Sequence, residues 1–278
     1  MNVRFIGLQA TALFARSLNG WFGADGETMH QSSFLKVKAF VDIYGRSLPA
    51  GARVIEIGSQ AYAGQDTYRP LFPAPAYEYV GLDLEPGPNV DLVAKGYAWS
   101  NLASSSFDFA VSGQTFEHNP FFWVTFCEMA RIVKPGGYVM VIAPGAGHVH
   151  RFPYDCWRFY PDAWTALCTL TGLVPVETYF ERDAMVGLVD GGFWRDSAVI
   201  ARKPDMDALK QKAFDDRLTS LVSPYASMPA ALGQTATAGP CFRAYEEAVR
   251  ILAAKASAGR KAWRLWDRLV RRPQVWAG

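Results

Sequence analysis

The spacing of apolar residues changes several times along the chain, and each change predicts a new secondary-structure element. In residues 31–48 apolar side chains recur at helical spacing, after a serine (Ser32 or Ser33) that is suited to cap the helix. Residues 53–57 form an almost continuous apolar run instead, which is typical of a buried strand. The same patterns predict six further strands, at 78–83, 90–94, 106–113, 138–145, 174–181 and 194–204, and two further helices, at 120–133 and 161–173.

This alternation of strands and helices predicts an α/β fold. We expect a Rossmann-like, seven-stranded, mainly parallel sheet with helices on both faces, formed by residues 31–204. Residues 1–30 are predicted to be an N-terminal helical segment. Residues 205–278 are predicted to be a helical C-terminal extension, interrupted by a connector rich in proline, glycine, alanine and threonine.

Composition narrows the class of protein. Half of the 278 residues are hydrophobic and 14% are aromatic, so the chain has enough apolar surface for a sizeable core. A net charge of +2 gives no argument for a nucleic-acid partner. The four cysteines are scattered without a CxxC pair, which argues against a zinc cluster or a disulfide framework and favours the cytoplasm. We expect no signal peptide, and no apolar run reaches the roughly 20 residues that span a bilayer.

Acidic residues end the first two predicted strands. Ligands of parallel sheets bind beyond the carboxyl ends of the strands, so these positions predict a binding site. Asp83 is placed to accept hydrogen bonds from a ribose. Glu56, beside the turn at Gly58, would repel a phosphate but attract a cationic amino group, and a helix starting near residues 64–67 would add free N–H groups. The pattern therefore indicates a ligand with an amino-acid end, a ribose and a positive centre.

Five segments of the sequence also carry a family resemblance. They read "VIEIGS", "YVGLDLEPGPNVDLV", "FDFAVSGQTFEHN", "EMARIVKPGGYVMVIAP" and "HRFPYDCWRFYPDAW". In this order they resemble the class I S-adenosylmethionine-dependent methyltransferases, in particular the bacterial type 11 group, over roughly residues 35–203. The resemblance implies methyltransferase activity with S-adenosyl-L-methionine as the cofactor. It assigns the following residues to cofactor binding: Glu56, Gly58, Ser59, Gln60, Asp83, Leu84, Gly96, Tyr97, Ser112, Gly113 and Gln114.

Two positions depart from the family pattern. The turn after the first strand, "SQAYAG", has fewer glycines than usual. The place after the third strand, where the family often has an acid that contacts adenine, reads "AKGYAW", so the backbone of Gly96 or the ring of Tyr97 would make that contact instead.

The segment "GAGHVHRFPYDCWRFYPDAW" follows the fifth predicted strand, at the ligand edge of the sheet. Its histidines suit proton transfer near neutral pH, so His148 or His150 is the first candidate for a catalytic base, with Asp155 to orient it. His118 is a second candidate, although it could equally cap the helix expected near Pro120. Residues of this segment are expected to bind the acceptor: Arg151, Tyr154, Trp157, Arg158 and Tyr160.

This segment has two alternative interpretations. Its aromatic residues could form the small core of a lid, with the charged side chains paired to each other. His148, His150 and Asp155 also match a loose metal-binding pattern, but the same residue types serve proton transfer, and no metal is included in the prediction.

The leading hypothesis is O-methylation of a sugar, a glycan or a polar natural product. N- or C-methylation is the alternative within the fold. A non-catalytic protein of the same fold is the alternative outside it, with the basic helix at 255–272 contacting a partner or a membrane surface. A dinucleotide-dependent dehydrogenase is disfavoured because the first turn lacks the G-x-G-x-x-G spacing.

Overall fold

The computed structural model of the protein describes residues 31–61, 67–188, 191–229, 232–233 and 239–258, with side chains described to residue 253 in the last helix. The predicted helical segment at 1–30 lies outside the described residues. So do most of the basic residues of the predicted C-terminal helix, and no side chain of residues 255–272 is described.

Seven strands form a single sheet. They are β1 (Ala52–Ile57), β2 (Tyr77–Asp83), β3 (Leu92–Val93), β4 (Phe107–Gly113), β5 (Val133–Pro144), β6 (Val174–Phe180) and β7 (Asp196–Arg202). Five helices accompany them among the described residues: α1 (Gln31–Ile43), α2 (Phe122–Ile132), α3 (Pro161–Thr171), α4 (Ala208–Val222) and α5 (Pro240–Ala258).

The strand order is β3-β2-β1-β4-β5-β7-β6. The first five strands in this order run parallel, whereas β7 pairs antiparallel with both β5 and β6. The predicted α/β class with a mainly parallel, seven-stranded sheet is therefore confirmed. Because the order reverses between β1 and β4, the carboxyl ends of these two strands border a crevice of the kind in which such sheets bind ligands.

Both faces of the sheet are covered by packed side chains. Phe40 of α1 stacks on Phe109 with their ring centroids 4.1 Å apart, and Val54 is buried on the same face. Ile55 and Ala110, one position along each strand, point to the opposite face and contribute to the core that includes α2, α3 and α4. The alternation follows from the two-residue period of strand side chains. Two hydrophobic cores on one sheet hold the strand ends rigidly.

The connection between β1 and β2 differs from the prediction. A helix was expected to start near residues 64–67, but the described part of this connection, residues 67–76, contains only the short 3₁₀ helix Arg69–Leu71. Pro70, Pro73 and Pro75 supply no N–H groups, so an α-helix cannot propagate through them. Residues 62–66, on which most of the predicted helix start falls, lie outside the described residues.

The fifth strand is longer than predicted. We expected "KPGG" to be a turn ahead of a strand at 138, yet β5 begins at Val133 and includes it. Val133 pairs with Phe107, and the irregularity in register before Phe109 absorbs the extra residues. Gly136 donates to the carbonyl of Lys203, which also holds this stretch in the sheet.

Contacts divide the chain into one compact unit that ends at Ala230 and a second that begins at Ala231. The sequence analysis predicts a boundary at residue 204, before α4. Helix α4 lies in the first unit because Leu218 is part of its hydrophobic core and Asp215 forms an ion pair with the buried Lys203 at 2.8 Å. In the second unit, α5 is the described element. No helix in the described ranges combines the length and hydropathy that a bilayer span requires.

Two glycines, one directly before β1 and one directly after it, allow a test of local packing. Gly58 and Gly51 both have left-handed backbones, with φ of +75° and +73°. An added Cβ at Gly58 would lie 2.1 Å from the Thr115 hydroxyl oxygen, whereas one at Gly51 would meet no heavy atom within 4 Å among the described residues. We expect Gly51→Ala to cost about 1–2 kcal/mol from backbone strain alone, and Gly58→Ala to cost about 1–3 kcal/mol more from overpacking.

Urea unfolding of the two variants measures this difference. Equal losses of unfolding free energy would contradict the close approach of the β1 turn to Thr115.

Candidate active site

Asp83 fixes the turn that follows β1. Its Oδ2 accepts from the backbone N–H of Gln60 at 2.9 Å, and its Oδ1 accepts from that of Leu84 at 2.7 Å. Each carboxylate oxygen has a second acceptor position, so both are still able to bind a pair of hydroxyls. The side chain of Leu84 is 47% exposed next to them. An acid beside an open apolar surface is the arrangement predicted for a ribose with its base.

Glu56 is buried rather than exposed at the strand end. Only 3% of its surface is accessible, and one carboxylate oxygen accepts from the Tyr79 hydroxyl. Burial raises the pKa of Glu56 to about 8, against the opposing effects of Tyr79 and the Arg69 guanidinium. A cationic group bound beside this buried, largely protonated acid would stabilise its charged form. The alternatives of a helix cap or a solvated strand end do not describe this residue.

The raised pKa of Glu56 predicts a pH effect on the ligand-free protein. Since the folded state holds the proton more tightly than the unfolded state, whose pKa is near 4.5, this contribution to stability is complete below about pH 4.5 and is lost as pH rises towards about 8. Glu56→Gln removes it. The unfolding free energy of the wild type, relative to that of the variant, should therefore fall between about pH 5 and about pH 8. A difference that stays constant or rises in denaturant titrations would contradict the buried, protonated acid.

The carboxyl ends of β1 and β4 contact each other. Ser112 donates its hydroxyl proton to the carbonyl of Ile57 at 2.9 Å, and an added Cβ at Gly113 would overlap the Tyr68 hydroxyl. The Ser59 hydroxyl is buried and has no hydrogen-bond partner among the described residues. A buried polar atom without a partner is unusual, and here it lies in the predicted cofactor turn.

Residues after β3 were predicted to contact adenine. Gly96 has a φ of +136°. The Tyr97 ring is buried and packs edge-to-face on Phe121 with centroids 4.8 Å apart. Stacking on an adenine would require this ring to leave Phe121, so the exposed Leu84 is the better-placed apolar contact.

The loop between β5 and α3, residues 145–160, holds its charged groups together. Arg158 donates to both oxygens of Asp155, at 2.5 and 2.8 Å, and also to the carbonyl of His148. The backbone N–H of His150 donates to Asp155 as well. Although burial raises the pKa of Asp155, these hydrogen bonds lower it to about 2. The paired charges match the lid interpretation, and they also fix Asp155 next to His150.

The structure brings two of the three candidate histidines together. The rings of His118 and His150 are 4.8 Å apart, and burial lowers the pKa of both, so both are neutral near pH 7. His118 Nδ1 lies 2.5 Å from the carbonyl of Tyr154, and His150 Nδ1 lies 3.4 Å from Asp155. His148 is exposed, with its ring against Trp194.

His118 does not cap a helix, which corrects one of its two predicted roles. It ends the 3₁₀ helix Phe116–His118, whereas α2 begins only at Phe122. Asn119 accepts from the backbone N–H of Phe121 and donates to Thr125, so it organises the helix start in place of His118.

Sequence reasoning missed Glu117. Its side chain is 1% exposed, its Oε1 lies 3.7 Å from His118 Nε2, and its Oε2 has no hydrogen-bond partner among the described residues. Burial raises its pKa to about 8. A glutamate directly before a histidine, just beyond the carboxyl end of β4, was the available signal.

Asp196 was missed as well. It is fully buried at the start of β7, where it accepts from Ser32 at 3.0 Å, from Lys36 at 2.9 Å and from Gln114 at 2.9 Å. Gln114 has a left-handed backbone, with φ of 56°. This network fixes the Gln114 side chain at the end of β4, although no local pattern in the sequence indicated it.

The other predicted acceptor residues lie on the outer side of the loop. Trp157 packs against Phe122 and donates its indole proton to a backbone carbonyl at 3.1 Å. Tyr160 stacks on Phe180 and is largely exposed, and Arg151 is exposed. Two members of the predicted acceptor set contact a candidate base directly. Tyr154 does so through its carbonyl, beside His118 Nδ1, and Arg158 through its guanidinium, 3.5 Å from His150 Nδ1.

Comparison with known proteins agrees with the fold. Residues 63–141 match the family model described as a methyltransferase domain. The predicted resemblance to the class I methyltransferases, whose Rossmann-like sheet this chain shares, is confirmed, and the match supports S-adenosylmethionine as the cofactor. A search of the curated proteins finds no match to this sequence.

Several solved structures are similar at low sequence identity. A 1,6-didemethyltoxoflavin-N1-methyltransferase from Burkholderia thailandensis is 14% identical, with 73% of this chain and 90% of that chain covered and a TM-score of 0.48. The CurJ carbon methyltransferase is 12% identical, with 62% and 54% covered and a TM-score of 0.47, so this chain spans about half its length. A SAM-dependent methyltransferase from Aquifex aeolicus is 16% identical, with 61% and 96% covered and a TM-score of 0.42.

Proposed function

We propose that the protein is an S-adenosylmethionine-dependent methyltransferase that methylates a hydroxyl of a sugar or another polar small molecule. The observation that carries this proposal is the pair of imidazoles, His118 beyond the carboxyl end of β4 and His150 in the loop after β5, whose ring centroids are 4.8 Å apart. Gly58 of the cofactor turn approaches Thr115, three residues before His118. The candidate bases and the candidate cofactor turn therefore border the same crevice.

The residues present fit the cofactor. Asp83 has free acceptor positions for two ribose hydroxyls beside the exposed Leu84. Glu56 offers a buried acid to the amino group, and the Ser59 hydroxyl lacks a partner among the described residues. S-adenosylmethionine would supply a methyl group bound to a sulfonium: the acceptor oxygen attacks the methyl carbon in line, the carbon–sulfur bond breaks, and the neutral thioether S-adenosylhomocysteine leaves.

The chain's own residues would position the acceptor and remove its proton. His150 accepts the hydroxyl proton, with Asp155 stabilising the imidazolium that results. His118 is the alternative base, oriented by the carbonyl of Tyr154. Closure of the loop over the crevice would exclude water and hold the reacting oxygen, since positioning is the main requirement of such a displacement.

The first experiment is calorimetry with S-adenosylmethionine and the full chain. Binding at one site per chain supports the proposal, and no binding supports the non-catalytic alternative. A screen of nucleotide sugars and glycans for uptake of a labelled methyl group then identifies the acceptor. N- or C-methylation is supported instead if the product carries the methyl group on nitrogen or carbon.

A further inference from the structure

Three side chains from two separate segments converge beside the proposed crevice. Glu117 and His118 come from the 3₁₀ helix after β4, and His150 comes from the loop after β5. Each offers one potential metal-ligating atom, and these three atoms all lie within 4.8 Å of one another. The donor set is two imidazoles and one carboxylate.

The individual contacts favour a ligand at this point. Glu117 is 1% exposed, yet its Oε2 lacks a hydrogen-bond partner among the described residues. His118 Nδ1 lies 2.5 Å from the Tyr154 carbonyl, which leaves its Nε2 to act as a ligand. His150 Nδ1 lies 3.4 Å from Asp155 and 3.5 Å from the Arg158 guanidinium, and the tautomer that donates Nδ1–H to Asp155 leaves Nε2 of this ring as a ligand too. Histidines that bind metals almost always donate their other N–H to a carbonyl or a carboxylate in this way.

The local charge points to a cation. Glu117 interacts electrostatically with the negative charges of Asp196 and Asp155 and with the positive charge of Arg158. Asp196 in turn pairs with Lys36, which also reaches Glu181 at 3.5 Å. Asp196 and Asp155 are thus each paired with a cationic side chain, Lys36 and Arg158, whereas Glu117 has no lysine or arginine partner among the described residues. A bound divalent ion would supply the missing positive charge beside it.

We propose that Glu117, His118 and His150 bind a divalent transition-metal ion, with zinc as the best match. Two histidines and one glutamate are a known zinc-binding set that leaves a fourth position open. Ligand atoms of a tetrahedral zinc site lie about 3.3 Å apart, so no pair of these atoms, all within 4.8 Å of one another, would have to close in by more than about 1.5 Å.

This inference goes beyond the proposed function, because metal binding is independent of which acceptor is methylated and of whether the cofactor binds. If both hold, the open position faces the acceptor. A coordinated hydroxyl loses its proton more readily, so the two histidines would serve as ligands rather than as the base.

The test uses the full chain without an affinity tag, stripped with a chelator and dialysed. Calorimetric titration with zinc should give one site per chain. Glu117→Gln and His150→Ala should each weaken zinc binding by at least about 100-fold, because each removes a direct ligand, and Asp155→Asn by about 10–100-fold. His148→Ala is the matched control, since His148 lies two residues away and is exposed, and it should keep the wild-type affinity.

Substitution with cobalt gives a readout that needs no variant. A tetrahedral nitrogen–oxygen site produces visible ligand-field absorption, which zinc should abolish by competition. The inference is overturned if the wild type binds no zinc, or if Glu117→Gln and His150→Ala bind it as tightly as the wild type does. S-adenosylmethionine titrated into the metal-free protein tests the proposed function separately.

Discussion

His150→Ala should lower kcat for methyl transfer to a hydroxyl acceptor by about 100-fold to 10,000-fold, the range that removal of a general base produces. His150 is placed for this role by Asp155, whose Oδ2 lies 3.4 Å from its Nδ1 and 2.7 Å from its backbone nitrogen. Burial and the neighbouring His118 lower its pKa, so it is neutral and able to accept a proton at pH 7. Steady-state kinetics with the acceptor from the methyl-uptake screen measure the effect.

Val149→Ala is the control for this prediction. Val149 is the preceding residue of the same loop and is 67% exposed, so its truncation should leave kcat close to that of the wild type. Calorimetry should show that His150→Ala still binds S-adenosylmethionine. If the variant keeps most of its rate, His150 is not the base, and an acceptor that needs no proton removal, such as an amine, becomes the better hypothesis.

Asp83→Ala should weaken S-adenosylmethionine binding by at least about 100-fold. Two hydrogen bonds to a charged acceptor contribute roughly 1.5–3 kcal/mol each, and every 1.4 kcal/mol corresponds to about a factor of ten in affinity. The substitution also releases the N–H groups of Gln60 and Leu84, which loosens the turn. Calorimetric dissociation constants for the wild type and the variant measure the loss.

Two further variants separate ribose recognition from loss of the turn. Glu85→Ala removes an equal charge from an exposed position two residues away, and it should bind the cofactor almost as well as the wild type. Asp83→Asn keeps one acceptor for the turn but loses the charge, so we expect an intermediate affinity. Unchanged affinity in Asp83→Ala would remove the ribose site from this strand end.

Much of the fold was predictable because its strands and helices follow from local patterns of apolar and turn residues. Hydrophobic patterns predicted all seven strands, several of them from continuous apolar runs, since a strand buried on both faces needs apolar residues at every position. The helix predicted at 161–173 is α3, which is capped by Gly172 with the left-handed φ of +81° of a C-terminal glycine. The predictions failed where neighbouring segments decide the outcome, as at "KPGG", which lies within β5 at the register irregularity opposite β4 and is bonded through Gly136 and Gly137 to Lys203.

For the candidate site, too, some features could be predicted from the sequence and others could not. Positions at strand ends, such as Glu56 and Asp83, could be predicted because parallel strands bring their carboxyl ends to one edge. The direction of a side chain could not be predicted in this way, and Glu56 proved to be buried against Tyr79.

The sequence by itself determined the class of fold, the order of its elements and the edge of the sheet where chemistry belongs, because these depend on hydrophobic period and on turn residues close together in the chain. Only the tertiary structure decided which groups meet there. Asp196 meets Ser32 across 164 positions of sequence, and Glu117 and His118 meet His150 because β4 and β5 are neighbours in the sheet. Such contacts depend on how whole strands and loops pack, and no local pattern of residues predicts that packing.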